Sequence, residues 1–251
     1  MSHVVAIIQA RMSSSRLRGK VMKPILNKPI LWHVVNRTSI AQYVHKTVVA
    51  TSINQPDDVI VQFCQGNNIP VYRGSENDVL DRYYQCAKEY DAENILRITA
   101  DCPLTDPQIV DHLIEAYFSG DYDYVTNCLE YSYPEGFDLE VASLEALQQA
   151  WRLSTLPSER EHVTEYIKKH PTEFKIKNVY AEKRYPMYKC SIDYQEDYEF
   201  IKQIFDSLGR DVFSLDDVAS LLQRRPELLA INQHKKENKE FLRLIKNVFA
   251  E

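Results

Sequence analysis

Glycine is scarce in this chain, at 6 of 251 residues, and the scarcity removes two common phosphate-binding devices. A dinucleotide fold needs G-x-G-x-x-G after its first strand, and no such run occurs. A Walker A loop needs glycine five residues before Gly19 and a hydroxyl after its lysine. The chain has Ser14 and Val21 there, so the metal-binding hydroxyl is missing. Gly/Ser-rich tracts, low-complexity segments and internal repeats are lacking too. No linker therefore marks a boundary, and the expectation is a single domain over 1–251 with 207–251 as a helical extension.

Cysteine is sparse and unpatterned: Cys64, Cys86, Cys102, Cys128 and Cys190 are odd in number and show no C-x-x-C spacing. Reduced thiols in the core are expected rather than a zinc or disulfide framework. The seven histidines show no H-E-x-x-H spacing. No run of about 18 apolar residues exists to span a bilayer, and the opening MSHVVAIIQARM carries charge where a signal peptide would be apolar. The chain is expected in the cytoplasm. Its formal net charge of −6 disfavours non-specific binding to nucleic acid or to an anionic membrane. An anion site must then be a local cationic cluster.

What is present is an alternation of short β-branched runs with helical periods. Val4 to Ile8, Thr47 to Thr51, Ile95 to Thr99 and Tyr122 to Asn127 are expected to be buried, mostly parallel strands. Helices should start at Asn54-Gln55-Pro56-Asp57 and Thr105-Asp106-Pro107, where proline suits the first turn. Further on, the pattern predicts a strand near Phe137 to Val141, helices at Ser143 to Arg152 and Ser158 to Lys169, a strand near Phe174 to Val179, and helix from Gln195 onward. Ser214 with Asp217 forms a capping pair, Pro226 breaks the helix, and an amphipathic stretch ends in FLRLIKNVF. That tail either covers the core or forms a homodimer contact. The class is α/β.

The most informative segment follows the first strand. From Arg11 to Lys20 there are four cations and three hydroxyls in ten residues. In a parallel α/β sheet ligands sit at the carboxyl ends of the strands, and this loop leaves the first of them. Arginine forks, a lysine point charge, serine hydroxyls and loop amides together suit a triphosphate, although a solvated basic loop would look the same. A second strand ends in Thr99-Ala100-Asp101-Cys102-Pro103, where proline pins the aspartate into a turn on the same crevice. Mg²⁺ takes only one or two protein carboxylates and keeps phosphate oxygens and water elsewhere, so Asp101 needs at most one helper. Asp193, at the end of a short late strand, is the candidate. Asp101 could instead cap the next helix, though Asp106 is better placed for that.

The stretch IIQARMSSSRLRGKVM resembles the opening of the spore coat polysaccharide biosynthesis protein SpsF family, which is related to acylneuraminate and KDO cytidylyltransferases. The similarity runs in order through VVATS, RGSENDVLDRYY, RITADCPLTDP, YDYVTN, YPEGFDLEV, EREHVTEYI and SIDYQEDYEFI. It implies a nucleotide-diphospho-sugar transferase-like fold with a mostly parallel central sheet flanked by helices. It also implies that Arg11, Arg16 and Lys20 hold the phosphates of CTP, with Gln9, Ala10, Ser13 and Ser14 completing the loop. Asp101 and Asp193 would hold Mg²⁺, and Thr51, Arg73, Gly74, Ser75, Asp78 and Arg97 would lie about the nucleotide. Tyr133, Asp138, Glu140, Arg160 and His162 would line the pocket of a small sugar-like acceptor. Where that family's loop usually has Leu-Pro before Gly-Lys, this chain has Leu17-Arg18, so Arg18 either reaches phosphate or points to solvent.

Plainer roles stand beside these. Arg160 and His162 lie in an E-R-E-H run that suits surface ion pairing. Glu140 alternates with apolar neighbours, as a solvent face would. Ser75 and Asp78 sit where the following helix needs its cap. The expected reaction is attack of an acceptor oxygen on the α-phosphorus of CTP, with catalysis by Arg11, Arg16, Lys20 and Asp101. Two rivals remain: a glycosyltransferase using a nucleotide-sugar, whose D-x-D motif could only be Asp121-Tyr122-Asp123, and a catalytically silent nucleotide-binding protein.

Overall fold

The computed structural model describes residues 4–232. Strand β1 (Val4–Gln9) is buried up to Ile8, because alternate side chains meet two different cores. Val4, Ala6 and Ile8 join one apolar cluster, and Val5 and Ile7 the other. A 3-10 turn at Lys20–Met22 and a short hairpin, β2 (Pro24–Ile25) with β3 (Lys28–Pro29), lead into α1 (Ile30–Ser39). Strand β4 (Lys46–Ser52) is followed by a 3-10 turn at Gln55–Asp57, with proline in its first positions, and by α2 (Asp58–Gly66). Next come β5 (Val71–Gly74), α3 (Val79–Glu89), β6 (Asn94–Thr99) and α4 (Pro107–Phe118). Asp106 caps α4 by accepting the Gln108 amide, as its position suggested. The later elements are β7 (Tyr124–Thr126), β8 (Glu140–Ser143), α5 (Leu144–Leu153), α6 (Pro157–Glu161), α7 (Glu165–Lys169), β9 (Ile176–Asn178), α8 (Gln195–Leu208) and α9 (Leu215–Arg224).

The strands form one sheet in the order β5-β4-β1-β6-β8-β7-β9. Only β8 runs against its neighbours. Helices α1, α2, α4, α8 and α9 bury their apolar sides on one face, and α3, α5 and α7 on the other. This is the α/β class expected, with a mostly parallel sheet between two helical layers. Its thiols are free, four of them buried, and burial pushes Cys64 up to about 12.

Several boundaries differ from expectation for local reasons. The strand expected near Phe137 to Val141 begins only at Glu140. Asn127 intervenes: its side chain donates to the Phe137 carbonyl and accepts from the Leu139 amide, taking the place of ladder bonds. The helix expected over Ser158 to Lys169 divides into α6 and α7 at Val163, whose φ is +57°. A β-branched residue resists that conformation; here Val163 is wholly buried in the second core cluster, so packing outweighs propensity. The short late strand before Asp193 is a single bridge between Glu135 and Lys189. Beyond Gln195 the helical stretch is interrupted at Gly209, with φ +63°, and ends in a 3-10 turn at Pro226–Ile231. Ser214 and Asp217 form the capping box. Leu215, Val218, Leu221, Leu222 and Leu228 enter the first core, so this part of the chain covers it. The FLRLIKNVF stretch lies outside the described residues, among which no helix is long and apolar enough to cross a membrane.

Candidate active site

The basic loop and the Asp101 turn leave the sheet at one edge. β1 ends at Gln9 and β6 at Thr99, side by side in parallel register. The basic loop between Ala10 and Lys20 is pinned at both ends. The Met12 amide donates to Asp57 Oδ1 at 2.7 Å, while Asp57 Oδ2 accepts from the amide and hydroxyl of Ser52. The Gly19 amide returns to the Met12 carbonyl at 3.0 Å, and Gly19 has φ +69°. A tight cradle results, and Lys20 leaves it as the first residue of a 3-10 turn.

Lys20 is only 8% exposed. Its Nζ lies 2.8 Å from Asp101 Oδ2 and 3.2 Å from Asp193 Oδ1, and it also donates to the Ile192 carbonyl. Arg16 adds a bond of 2.7 Å to the same Asp193 oxygen. The Ile192 amide donates to the Asp101 carbonyl at 2.9 Å, stitching the two carboxylate-bearing segments together. Burial alone would favour the neutral acid at Asp101; the ammonium of Lys20 outweighs it and holds the carboxyl below the usual range. At Asp193 burial is likewise overcome, by Lys189 and Lys20, and its acidity is also increased. Burial would lower Lys20, but Asp101 and Asp193 keep it above its ordinary value.

A cleft of about 240 Å³ opens here, lined by Gln9, Ala10, Arg11, Ser14, Ser15, Arg16 and Lys20 on one wall and Thr99, Asp101 and Asp193 on the other. A second cleft of about 210 Å³ shares Gln9, Ala10 and Arg11 and continues to Val79, Arg82, Arg97, Glu161 and His162. The two hollows meet along the end of β1. Most of the expected phosphate and metal residues are thus brought together, with Arg97 and His162 next door. Ser13 turns aside, donating to Glu76 at 2.6 Å.

Other residues expected at the ligands are also held by partners within the protein. Thr51 is fully buried. Arg73 donates to the Ser52 and Asn54 carbonyls and pairs with Asp58 at 2.8 Å. A Cβ at Gly74 would lie 2.9 Å from Arg82 Cγ, so glycine admits that side chain. Ser75 accepts the Asp78 amide, and Asp78 caps α3. Arg160 pairs with Asp78 and donates to the Trp151 carbonyl, bracing α6 on α3. Glu140 is 4% exposed and so belongs to no solvent face. It pairs with Arg97 and accepts from Tyr124 and Thr164, with Lys168 at 3.2 Å. Tyr133 lines a separate cleft of about 270 Å³ beside Tyr185 and Asp216, away from the basic loop. Asp138 accepts from the Gly136 amide, and burial together with Glu135 and Glu140 raises it to about 7. The D-x-D motif lies at the start of β7, whose parallel run puts it at the sheet edge opposite the cleft, where Asp121 pairs with Lys175.

Three contributors carried no sequence signal. Lys189, with a side chain 5% exposed, donates to Asp193 Oδ2 at 3.1 Å and to Asp197 Oδ2 at 3.2 Å. Glu135 accepts from Ser191 at 2.5 Å. Asp57 anchors the loop as described. Gly136 lets the Glu135 segment approach the one that carries Lys189: its φ is +97°, and a Cβ there would come within 2.6 Å of the Cys190 backbone. Gly136→Ala is expected to cost about 1–3 kcal/mol of stability and to displace the segment that carries Asp193. Thermal melts with and without nucleotide would show both a lower Tm and a smaller ligand-induced rise.

A family model described as cytidylyltransferase matches residues 5–240. The chain is 35% identical to the spore coat polysaccharide biosynthesis protein SpsF of Bacillus subtilis over 90% of this chain and 97% of that protein. It superposes on a cytidylyltransferase from Leptospira borgpetersenii with a TM-score of 0.89 and 31% identity, covering 94% of this chain and 99% of that one. A CMP:2-keto-3-deoxy-manno-octonic acid synthetase complexed with CTP shares the fold, with a TM-score of 0.65 at 18% identity over 82% of this chain and 100% of that one. The chain therefore belongs to the cytidylyltransferase family of CTP-dependent nucleotidyltransferases.

Proposed function

We propose that the protein transfers CMP from CTP to a sugar acid, sugar phosphate or similar acceptor, with Mg²⁺ and with release of pyrophosphate, in surface polysaccharide or glycoconjugate synthesis. One observation carries the reading: a buried ammonium held between two carboxylates on the floor of a cleft walled by a basic loop. The likeness to the spore coat polysaccharide biosynthesis protein of Bacillus subtilis supports the polysaccharide setting.

The residues suit Mg²⁺. Oxygens of Asp101 and Asp193 both lie within 3.2 Å of one cationic nitrogen, so a cation already fits between them. Among the described residues no group of three or more His, Cys, Asp or Glu side chains could hold a metal. The remaining positions would fall to phosphate oxygens and water, the usual habit of this ion. When bound, Mg²⁺ would supply positive charge to the phosphates.

The protein's own groups do the positioning. Arg11, Arg16 and Lys20 grip the β- and γ-phosphates and offset the charge that moves to pyrophosphate as the α-phosphorus–oxygen bond breaks. The cradle amides and serine hydroxyls fix the direction of departure. An acceptor oxygen, entering from the side of Arg97 and His162, attacks the α-phosphorus opposite the leaving group. Its proton, if it has one, passes to solvent or buffer. Mixing protein, CTP, Mg²⁺ and a panel of sugar acids and sugar phosphates should release pyrophosphate with at least one of them. A panel without release, joined to a melting temperature indifferent to CTP and Mg²⁺, would end this reading.

A further inference from the structure

Charge around Asp101 and Asp193 is already balanced before any ligand enters. Lys20 touches both carboxylates, Arg16 touches Asp193 Oδ1, and Lys189 takes Asp193 Oδ2. A bare divalent ion approaching this floor meets three cations and no free carboxylate oxygen on Asp193. Asp101 Oδ1 also has a neighbour, the Cys102 thiol at 3.7 Å.

We propose that Lys20 is the built-in counter-ion of this carboxylate pair in the nucleotide-free protein, and that an arriving triphosphate draws it away, so that nucleotide opens the divalent site. The inference rests on the reading of Asp101 and Asp193 as metal ligands given above. An ammonium and a divalent ion cannot occupy one gap between two carboxylates, because like charges repel strongly in a partly desolvated cleft. One must yield, and only the ammonium is tethered where it can reach an alternative anion.

The geometry singles out Lys20 among the three cations. Arg16 is the exposed one, with 47% of its side chain open against 10% for Lys20, and it leaves Asp101 untouched. Lys189 stays behind: its ammonium is tied to Asp197, to the Ser191 carbonyl and to the Ser191 hydroxyl, so it keeps orienting Asp193 after Lys20 departs. The Lys20 backbone is fixed, its amide donating to the Leu17 carbonyl at 3.2 Å and its carbonyl accepting from Lys23 at 3.0 Å. Movement is thus confined to a four-carbon stem whose head is a rotatable point charge. Basic loop and carboxylates share one cleft, so the head can turn from one to the other without rearranging the fold.

Binding of Mn²⁺, followed by electron paramagnetic resonance with and without a non-hydrolysable CTP analogue, tests this without reference to turnover. Wild-type protein should bind Mn²⁺ more tightly with the analogue present, by a coupling factor of about 5–150. Lys20→Met and Lys20→Gln should each raise nucleotide-free Mn²⁺ affinity by about tenfold and shrink that factor accordingly. Asp101→Asn should weaken Mn²⁺ binding in both states. Melting curves identify which variants are folded, and glutamine retains a hydrogen-bonding head should methionine prove unstable. If both folded Lys20 variants bind Mn²⁺ no better than wild type in the absence of nucleotide, the counter-ion role is wrong while the metal site stands. If Asp101→Asn leaves Mn²⁺ binding intact, the metal-ligand reading beneath it is wrong as well.

Discussion

Lys20→Ala is expected to lower turnover by about two to three powers of ten, the size observed when one preorganised charge-stabilising donor is removed. The lysine is buried at 8% exposure and held by three acceptors, and Arg16, which shares the Asp193 oxygen, leaves Asp101 untouched. In the proposed reaction its charge matters most when negative charge gathers on the leaving pyrophosphate, so the loss should fall chiefly on kcat, with a smaller rise in the KM for CTP. Lys20→Arg should not restore the rate. A planar fork cannot occupy the narrow space between Asp101, Asp193 and the Ile192 carbonyl as a rotatable ammonium does. Steady-state pyrophosphate release at saturating CTP is the measurement. Turnover within a few-fold of wild type would remove this residue from the chemistry.

The second large effect concerns stability. Arg97→Met is expected to destabilise the fold by about 3–5 kcal/mol, the range for removing one partner of a buried ion pair. Glu140 would be left with Lys168, 3.2 Å away and itself partly exposed, which places the expectation toward the lower end. At about 2–4 °C per kcal/mol for a domain of this size, the melting temperature should drop by about 6–12 °C. The effect should depend on pH in a defined sense. Burial opposes ionisation of Glu140, but Arg97, Lys168 and the hydroxyls of Thr164 and Tyr124 bring it down to about 2. A depressed carboxylate contributes stability that is complete above the unfolded glutamate range and is lost as pH falls through the folded value. The gap between wild type and variant should therefore narrow from about pH 5 downward. A gap that stays constant, or a melting temperature unchanged at neutral pH, would mean that the pair adds little to the fold.

Legibility of this protein in its sequence followed the range of the interactions involved. β1 and its loop were visible because VVAII can only be a strand covered on both faces and because four cations crowd the segment after it. Asp101 was visible for the same local reason, a carboxylate at the end of an apolar strand. Asp193 was placed at the end of a short late strand, and its surroundings form only one bridge, Glu135 to Lys189, in place of that strand. Lys189 and Asp57 went unseen, because a charge buried by partners far away in the chain has no local signature. Asp57 reaches Met12 across 45 residues. Arg160 and Glu140 were expected beside an acceptor by resemblance, and their bonds to Asp78, Trp151, Arg97, Tyr124 and Thr164 had no local signature for the same reason. Val163 marks where tertiary packing overrules the helical period.

The reversed direction of β8 has a further consequence. Because that strand starts at the edge where its parallel neighbours end, the connection from 127 to 139 begins and finishes beside the cleft without crossing the sheet. Insertions or exchanges between 128 and 132 need disturb neither the basic cradle nor Glu135 and Gly136, which seat the segment carrying Asp193. A lineage could therefore adopt new acceptors by rewriting one connection while inheriting its nucleotide machinery unaltered.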